Sequence, residues 1–157
     1  MSKQKPSYVI SVCLLAMILQ ACGSATVLTV APCIKDNQQD LTIRWGTRND
    51  STGEFKEYVM DTKGSIVCRY GEHADTAIAE LDPITHNQYC TTVEQLTKVF
   101  VKVQALHSPG TKARFIEYTN PRSNVFLRAV WNPDLSTFQS RDMRAQYDSL
   151  MRLVEKE

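Results

Sequence analysis

The sequence predicts an α+β domain: an antiparallel sheet of about four to five strands, supplied mainly by two hairpins, packed by two helices. Three observations predict it. Short runs alternate apolar with polar residues, as half-buried strands do; two pairs of such runs are separated by turn-forming residues; and two longer stretches repeat apolar residues at helical spacing.

Leu41-Thr42-Ile43-Arg44-Trp45 alternates and reads as the first strand. Phe55 to Met60 and Ser65 to Tyr70 then flank Asp61-Thr62-Lys63-Gly64, whose glycine can take the positive φ that closes a tight turn. From Gly71 to Gln88 the chain is polar and reads as a long loop with one short helical piece at Ala77 to Leu81. Thr91-Thr92-Val93-Glu94 has the pattern of a capping box and places a helix start there. Val93, Leu96, Val99, Phe100, Val103 and Leu106 follow at helical spacing, although Val99 to Val103 is also rich in strand formers.

Ser108-Pro109-Gly110 ends that element. Ala113 to Tyr118 and Val125 to Trp131 form the second predicted hairpin around residues 119–124, and Asn132-Pro133 stops it. The last element is a C-terminal amphipathic helix capped by Ser140. Met143, Tyr147, Leu150, Met151 and Val154 line one stripe, with Arg144, Asp148, Arg152 and Glu155 outside it.

The N-terminus has a different character. Lys3 and Lys5 precede an apolar run from Tyr8 to Leu19, about a dozen residues against the ~20 of a spanning helix. The run ends in Leu19-Gln20-Ala21-Cys22-Gly23-Ser24, and in this it resembles the signal peptide of bacterial lipoproteins, whose lipobox is a branched apolar residue, two further residues and a cysteine. That resemblance implies cleavage before Cys22 and attachment of diacylglycerol to its thiol, with an N-acyl chain such as palmitate on the new amino group. More than one acyl chain makes anchoring effectively permanent. It also implies a lipid-anchored location in the cell envelope or periplasm. Since residue 23 is glycine rather than the aspartate of inner-membrane retention, the outer membrane is expected in a Gram-negative host.

Three segments follow from this reading: a signal peptide over 1–21, a lipidated N-terminus and tether over 22–39, and a single globular domain over 40–157. The whole chain has 18 Lys+Arg and 17 Asp+Glu, and loss of Lys3 and Lys5 leaves 16 against 17. Near-neutrality without a basic run argues against a nucleic-acid partner. A mature chain of 136 residues suffices for one hydrophobic core.

Of five cysteines, Cys13 leaves with the signal and Cys22 takes lipid, so Cys33, Cys68 and Cys90 remain. In an oxidising envelope two can pair, leaving the third buried or reactive, and separation alone does not choose among the three pairings. The expected bridge is Cys68 with Cys90, stapling the long loop for about 3 kcal/mol. A competing reading takes Cys68, His73, His86 and Cys90 as C-x4-H-x12-H-x3-C, four residues of the types zinc accepts, although the tight C-x2-C knuckle is absent. No cofactor beyond the covalent lipid is called for.

Catalytic patterns are thin. The chain has no G-x-S-x-G, H-E-x-x-H, P-loop or G-x-G-x-x-G sequence. His73, His86 and His107 lie in or beside predicted loops with Asp75, Glu80 and Asp82 near the first two, as in any polar loop. Trp45, Trp131 and Tyr118, at strand ends, are the aromatic candidates for a recognition surface, weighed against a place in the core. The expected function is therefore that of a non-enzymatic, membrane-anchored envelope protein binding another envelope protein. The alternative is a small periplasmic metal-binding protein or enzyme using the Cys68–Cys90 loop. The hairpin, helix, hairpin, helix order, from Phe55 to Tyr70 and from Phe115 to Val154, is also similar to small emfourin-type inhibitors of thermolysin-like metallopeptidases, which implies peptidase inhibition as a lower alternative.

Overall fold

The computed structural model describes residues 29–72, 75–103 and 106–155; the signal peptide, the lipobox and His73 lie outside these. The order is β1 (Thr42–Asn49), β2 (Glu54–Met60), β3 (Ile66–Glu72), β4 (Asp75–Leu81), α1 (His86–Val103), β5 (Leu106–Ser108), β6 (Lys112–Asn120), β7 (Val125–Trp131) and α2 (Phe138–Met151). The strands form one sheet in the order β4-β3-β2-β1-β6-β7-β5. The α+β class is as expected, but seven strands replace four to five, and the three-residue β5 runs parallel to β7, making the sheet mixed.

Both expected hairpins are present. Ile66 pairs with Met60 across a turn in which Gly64 has φ +81° and Asp61 Oδ1 accepts from the Lys63 and Ser65 amides. Val125 pairs with Asn120 across a short helical turn, Pro121–Ser123, closed by Asn124 at φ 50°. The polar stretch read as a loop is instead β4. Its alternation is carried by Thr76, Ile78 and Glu80 on one side and Ala77, Ala79 and Leu81 on the other. Alanine and glutamate are poor strand formers, so pairing with β3 along its whole length overrides propensity.

Helix α1 starts at His86, not near Thr91. The box that starts it is Thr85 with Gln88: the Gln88 amide donates to Thr85 Oγ1 at 3.3 Å, and the Thr85 amide donates to Gln88 Oε1 at 3.0 Å. The same device begins α2 one turn before the expected cap. Thr137 is the N-cap, and Ser140 is its reciprocal partner at N3.

The two helices cover one sheet face, joined by a Lys102–Asp142 ion pair at 2.5 Å. Hydrogen bonding to Lys102 and Arg141 holds the Asp142 carboxyl below its ordinary pKa. Ile43, Trp45, Tyr58, Met60, Ile66, Ile116 and Trp131 of the strands meet Tyr89, Leu96 and Phe100 of α1 and Met143, Tyr147 and Leu150 of α2. Trp45 stacks on Tyr58 with centroids 5.3 Å apart, and Trp131 meets Tyr147 edge-on at 5.7 Å. Burial pushes the Tyr147 phenol up to about 12.

From Ala31 onward, the segment read as tether packs on the domain. Ala31 is buried and its amide donates to the Thr62 carbonyl. Cys33 is bonded to Cys90 in α1, so the bridge is Cys33–Cys90 rather than Cys68–Cys90. Among the described residues, Cys68 is the free, buried cysteine: it points from β3 into the layer beneath the helices, while Cys90, one turn into α1, faces the N-terminal segment.

The bridge closes 57 residues, a constraint worth about 4 kcal/mol on the unfolded chain. A Cys33→Ala/Cys90→Ala variant is expected to keep its far-UV circular dichroism spectrum and to lose about that much stability in urea denaturation. An unchanged midpoint would refute the bridge.

Candidate functional site

On the sheet face opposite the helices, side chains alternate from those in the core, so β1 presents Arg44, Gly46 and Arg48 there. The register brings charged residues of five adjacent strands onto this face in a stepped row: Arg69 of β3 is opposite Glu57 of β2, Glu57 is opposite Gly46 of β1, and two residues along β1 Arg44 is opposite Glu117 of β6, itself opposite Arg128 of β7. Arg44 is central. Its Nη2 donates to Glu57 Oε2 at 2.7 Å and its Nη1 to Glu117 Oε2 at 3.0 Å. Arg69 takes the other oxygen of Glu57 at 3.1 Å, and Arg128 Nε the other oxygen of Glu117 at 3.0 Å.

The row is layered by sign. Glu57 and Glu117 are only 7 % and 6 % exposed, while the arginine side chains above them remain about 40 % exposed. Carboxylates thus form the floor and guanidinium groups the solvent surface. Three arginines share two glutamates, which leaves one positive charge in excess.

Gly46 keeps this geometry possible. A Cβ there would lie 2.1 Å from the Lys56 carbonyl oxygen and 2.7 Å from the Glu57 Cα, both backbone atoms of β2. Any side chain would push β2 away from β1 and separate Arg44 from Glu57.

Two cavities open on this face on either side of Arg48. One, of about 490 Å³, is bordered by Arg44, Arg69, Glu57, Phe55 and Asp50. The other, of about 210 Å³, is bordered by His107, Phe115, Arg128 and Val130. Ala113, Phe115 and Val130 form a small buried apolar cluster of their own beneath it.

The residues singled out by sequence are dispersed. Trp45, Trp131 and Tyr118 are buried in the core and offer no recognition surface, since their strand positions face the helices. His86 Nε2 donates to the Thr29 carbonyl at 2.8 Å. His107 lies on the open face, far in the sheet from β4 with Asp75 and Glu80. The set Cys68, His73, His86 and Cys90 is not assembled among the described residues: the Cys90 sulfur is bonded to Cys33, and no group of three or more His, Cys, Asp or Glu there is placed to hold a metal ion. Cys22 lies outside the described residues.

Cys68 instead floors a cavity of about 310 Å³ on the helix side, with Lys56, Tyr58, Tyr70, Leu81 and Val154. Burial pushes its thiol up, away from the reactive thiolate. The neighbouring Tyr58 hydroxyl raises the pKa of the Lys56 ammonium.

The charge row escaped sequence reading because it depends on register. Arg44, Glu57, Arg69, Glu117 and Arg128 each look like an ordinary solvent-side residue of a strand. The available signal was one charged residue at a mid-strand outward position in each of five strands.

Arg44→Met is expected to cost about 2–4 kcal/mol in urea denaturation, because both glutamates keep a single partner at a buried position. Arg69→Met and Arg128→Met, which each leave a glutamate with Arg44, are expected to cost less than half as much; equal costs would show that Arg44 is not the shared partner. For Cys68, iodoacetamide is expected to react only after unfolding, and labelling of the native protein at pH 8 would contradict its burial. No protein-family model matches this chain, and no curated protein matches it significantly.

Proposed function

We propose that the protein is a membrane-anchored envelope lipoprotein without enzymatic activity, which binds another envelope protein through the uncovered face of its sheet. The observation that carries this reading is the way the chain joins the domain. The Thr29 carbonyl is held by His86, the Ala31 amide bonds to Thr62 in the β2–β3 turn, and Cys33 is bridged to α1. All three contacts lie at the end of the sheet where β1 begins, and Arg48 is near the opposite end of that strand.

A lipid on Cys22 would be separated from Thr29 by six residues, and seven links reach at most about 25 Å. The domain is then held close to the bilayer by a clamped end, with the cavities beside Arg48 directed away from it. Sequence supplies the anchor through Leu19-Gln20-Ala21-Cys22. The fold supplies a rigid attachment for it.

In detergent phase partitioning, the wild-type protein is expected in the detergent phase with a mature chain beginning at Cys22, and Cys22→Ala in the aqueous phase. Crosslinking in cells followed by mass spectrometry is expected to join a partner to residues of the open face in wild type and to lose it in Cys22→Ala. A wild-type protein that stays in the aqueous phase overturns the anchor, and crosslinks confined to the helix side overturn the recognition surface.

A further inference from the structure

Among the described arginines, Arg48 is alone in making no hydrogen bond or ion pair. Arg44, Arg69, Arg114, Arg122, Arg128 and Arg141 each lie within 4.0 Å of a carboxylate. Arg144 donates to the carbonyls of Asn132, Pro133 and Leu135, and Arg152 donates to Ser149. A chain that pairs its arginines so consistently leaves unpaired the one that stands between two cavities.

The larger of those cavities is bordered by three guanidinium groups with distinct constraints. Arg44 is fixed from below by Glu57 and Glu117, at 2.7 and 3.0 Å, and Arg69 by Glu57 at 3.1 Å, so their remaining solvent-facing N–H groups are oriented without further loss of side-chain freedom. They stand two strands apart and two residues out of register, since Arg69 is level with Gly46 through Glu57, which separates them by on the order of 12 Å at the backbone. Arg48, four residues along β1 from Arg44 and on the same face, closes the third side and is free to swing. Among the described residues, the acidic side chains bordering this cavity are Glu57, already occupied by two arginines, and Asp50 on the rim, beyond ion-pair distance of Arg48. Phe55 adds an apolar wall.

We propose that this cavity is a binding site for an oxyanion group, carboxylate or phosphate, carried by a ligand whose adjoining apolar part packs on Phe55. The planar forks of Arg44 and Arg69 receive the anion, and Arg48 folds over it as the third donor. Guanidinium is suited to this because its N–H pairs match the two oxygens of such groups. The site lies within the surface assigned above to partner recognition and rests on that reading for its biological occupant. The chemistry of the cavity depends neither on lipid anchoring nor on the identity of the partner.

The test uses the purified protein at low ionic strength with three probes: inorganic phosphate, phenyl phosphate and benzoate, followed by amide chemical shifts and calorimetry. Saturable binding is expected, with phenyl phosphate tighter than inorganic phosphate and weakening as salt rises. Comparison of phenyl phosphate with benzoate identifies which oxyanion the site prefers. Arg48→Ala is expected to lower affinity at least about tenfold, with an unchanged thermal midpoint because Arg48 holds nothing in the fold. Asp50→Asn is expected to tighten binding by removing the competing charge. Absence of saturable binding to all three probes, or equal affinity in Arg48→Ala, overturns the site. Crosslinks to the open face without anion binding would leave the recognition surface standing and refute this cavity's role, whereas anion binding with crosslinks only elsewhere would do the reverse.

Discussion

Two carboxylates lie beneath the uncovered face of the sheet, each more than nine-tenths buried, and Arg44 is the one side chain that bonds to both. A glutamate so far removed from water is tolerable only with a cation and a hydrogen bond in place. Satisfying both therefore fixes how β2, β1 and β6 align, since a one-residue slip on either side of β1 would turn a glutamate to the opposite face. The same alignment sends Trp45, Tyr58 and Ile116 to the helix side. The polar row and the apolar core are two consequences of one register, and Gly46 permits the close approach of β1 and β2 that the register needs.

What the sequence makes legible depends on the range over which each signal acts. The hairpins around Gly64 and Pro121–Ser123 and the stripe of Met143, Tyr147 and Leu150 are local patterns, and they are found where the residues place them. β4 was hidden because Ala77, Ala79 and Glu80 favour a strand only once β3 is beside them. The Thr91–Glu94 pattern marks a point inside α1 rather than its start, because a second T-x-x-Q box, Thr85 with Gln88, lies where the chain leaves the sheet. Distant pairings were least legible. The bridge of Cys33 to Cys90 spans 57 residues, and separation alone does not choose it over Cys68 with Cys90, which would staple a loop that is in fact β4. The arginine-glutamate row draws on five strands and belongs to no single stretch of sequence.

The two faces of the sheet divide the labour. The helix side holds aromatic stacking and the buried thiol of Cys68, with Lys56 and Tyr58 beside it. The other side is polar, arginine-rich and open beside Arg48. At one end, the chain's N-terminal segment is fastened by covalent and hydrogen bonds to α1 and the β2–β3 turn. The chain is therefore fixed relative to the sheet at Thr29, Ala31 and Cys33.

The position of β1 also has a meaning in time. Its first neighbour, β2, follows it directly, but its second, β6, lies roughly 70 positions further along the chain, so the seam between Arg44 and Glu117 is among the last that a growing chain can close. Until then β1 is an open edge, the kind of strand that recruits other chains into aggregates. During that interval Arg44 and Arg48 are charged residues on an unpaired edge, which discourage such contacts. When β6 arrives, Arg44 gains its second carboxylate, and a side chain that protected the unfinished sheet becomes the one that completes it.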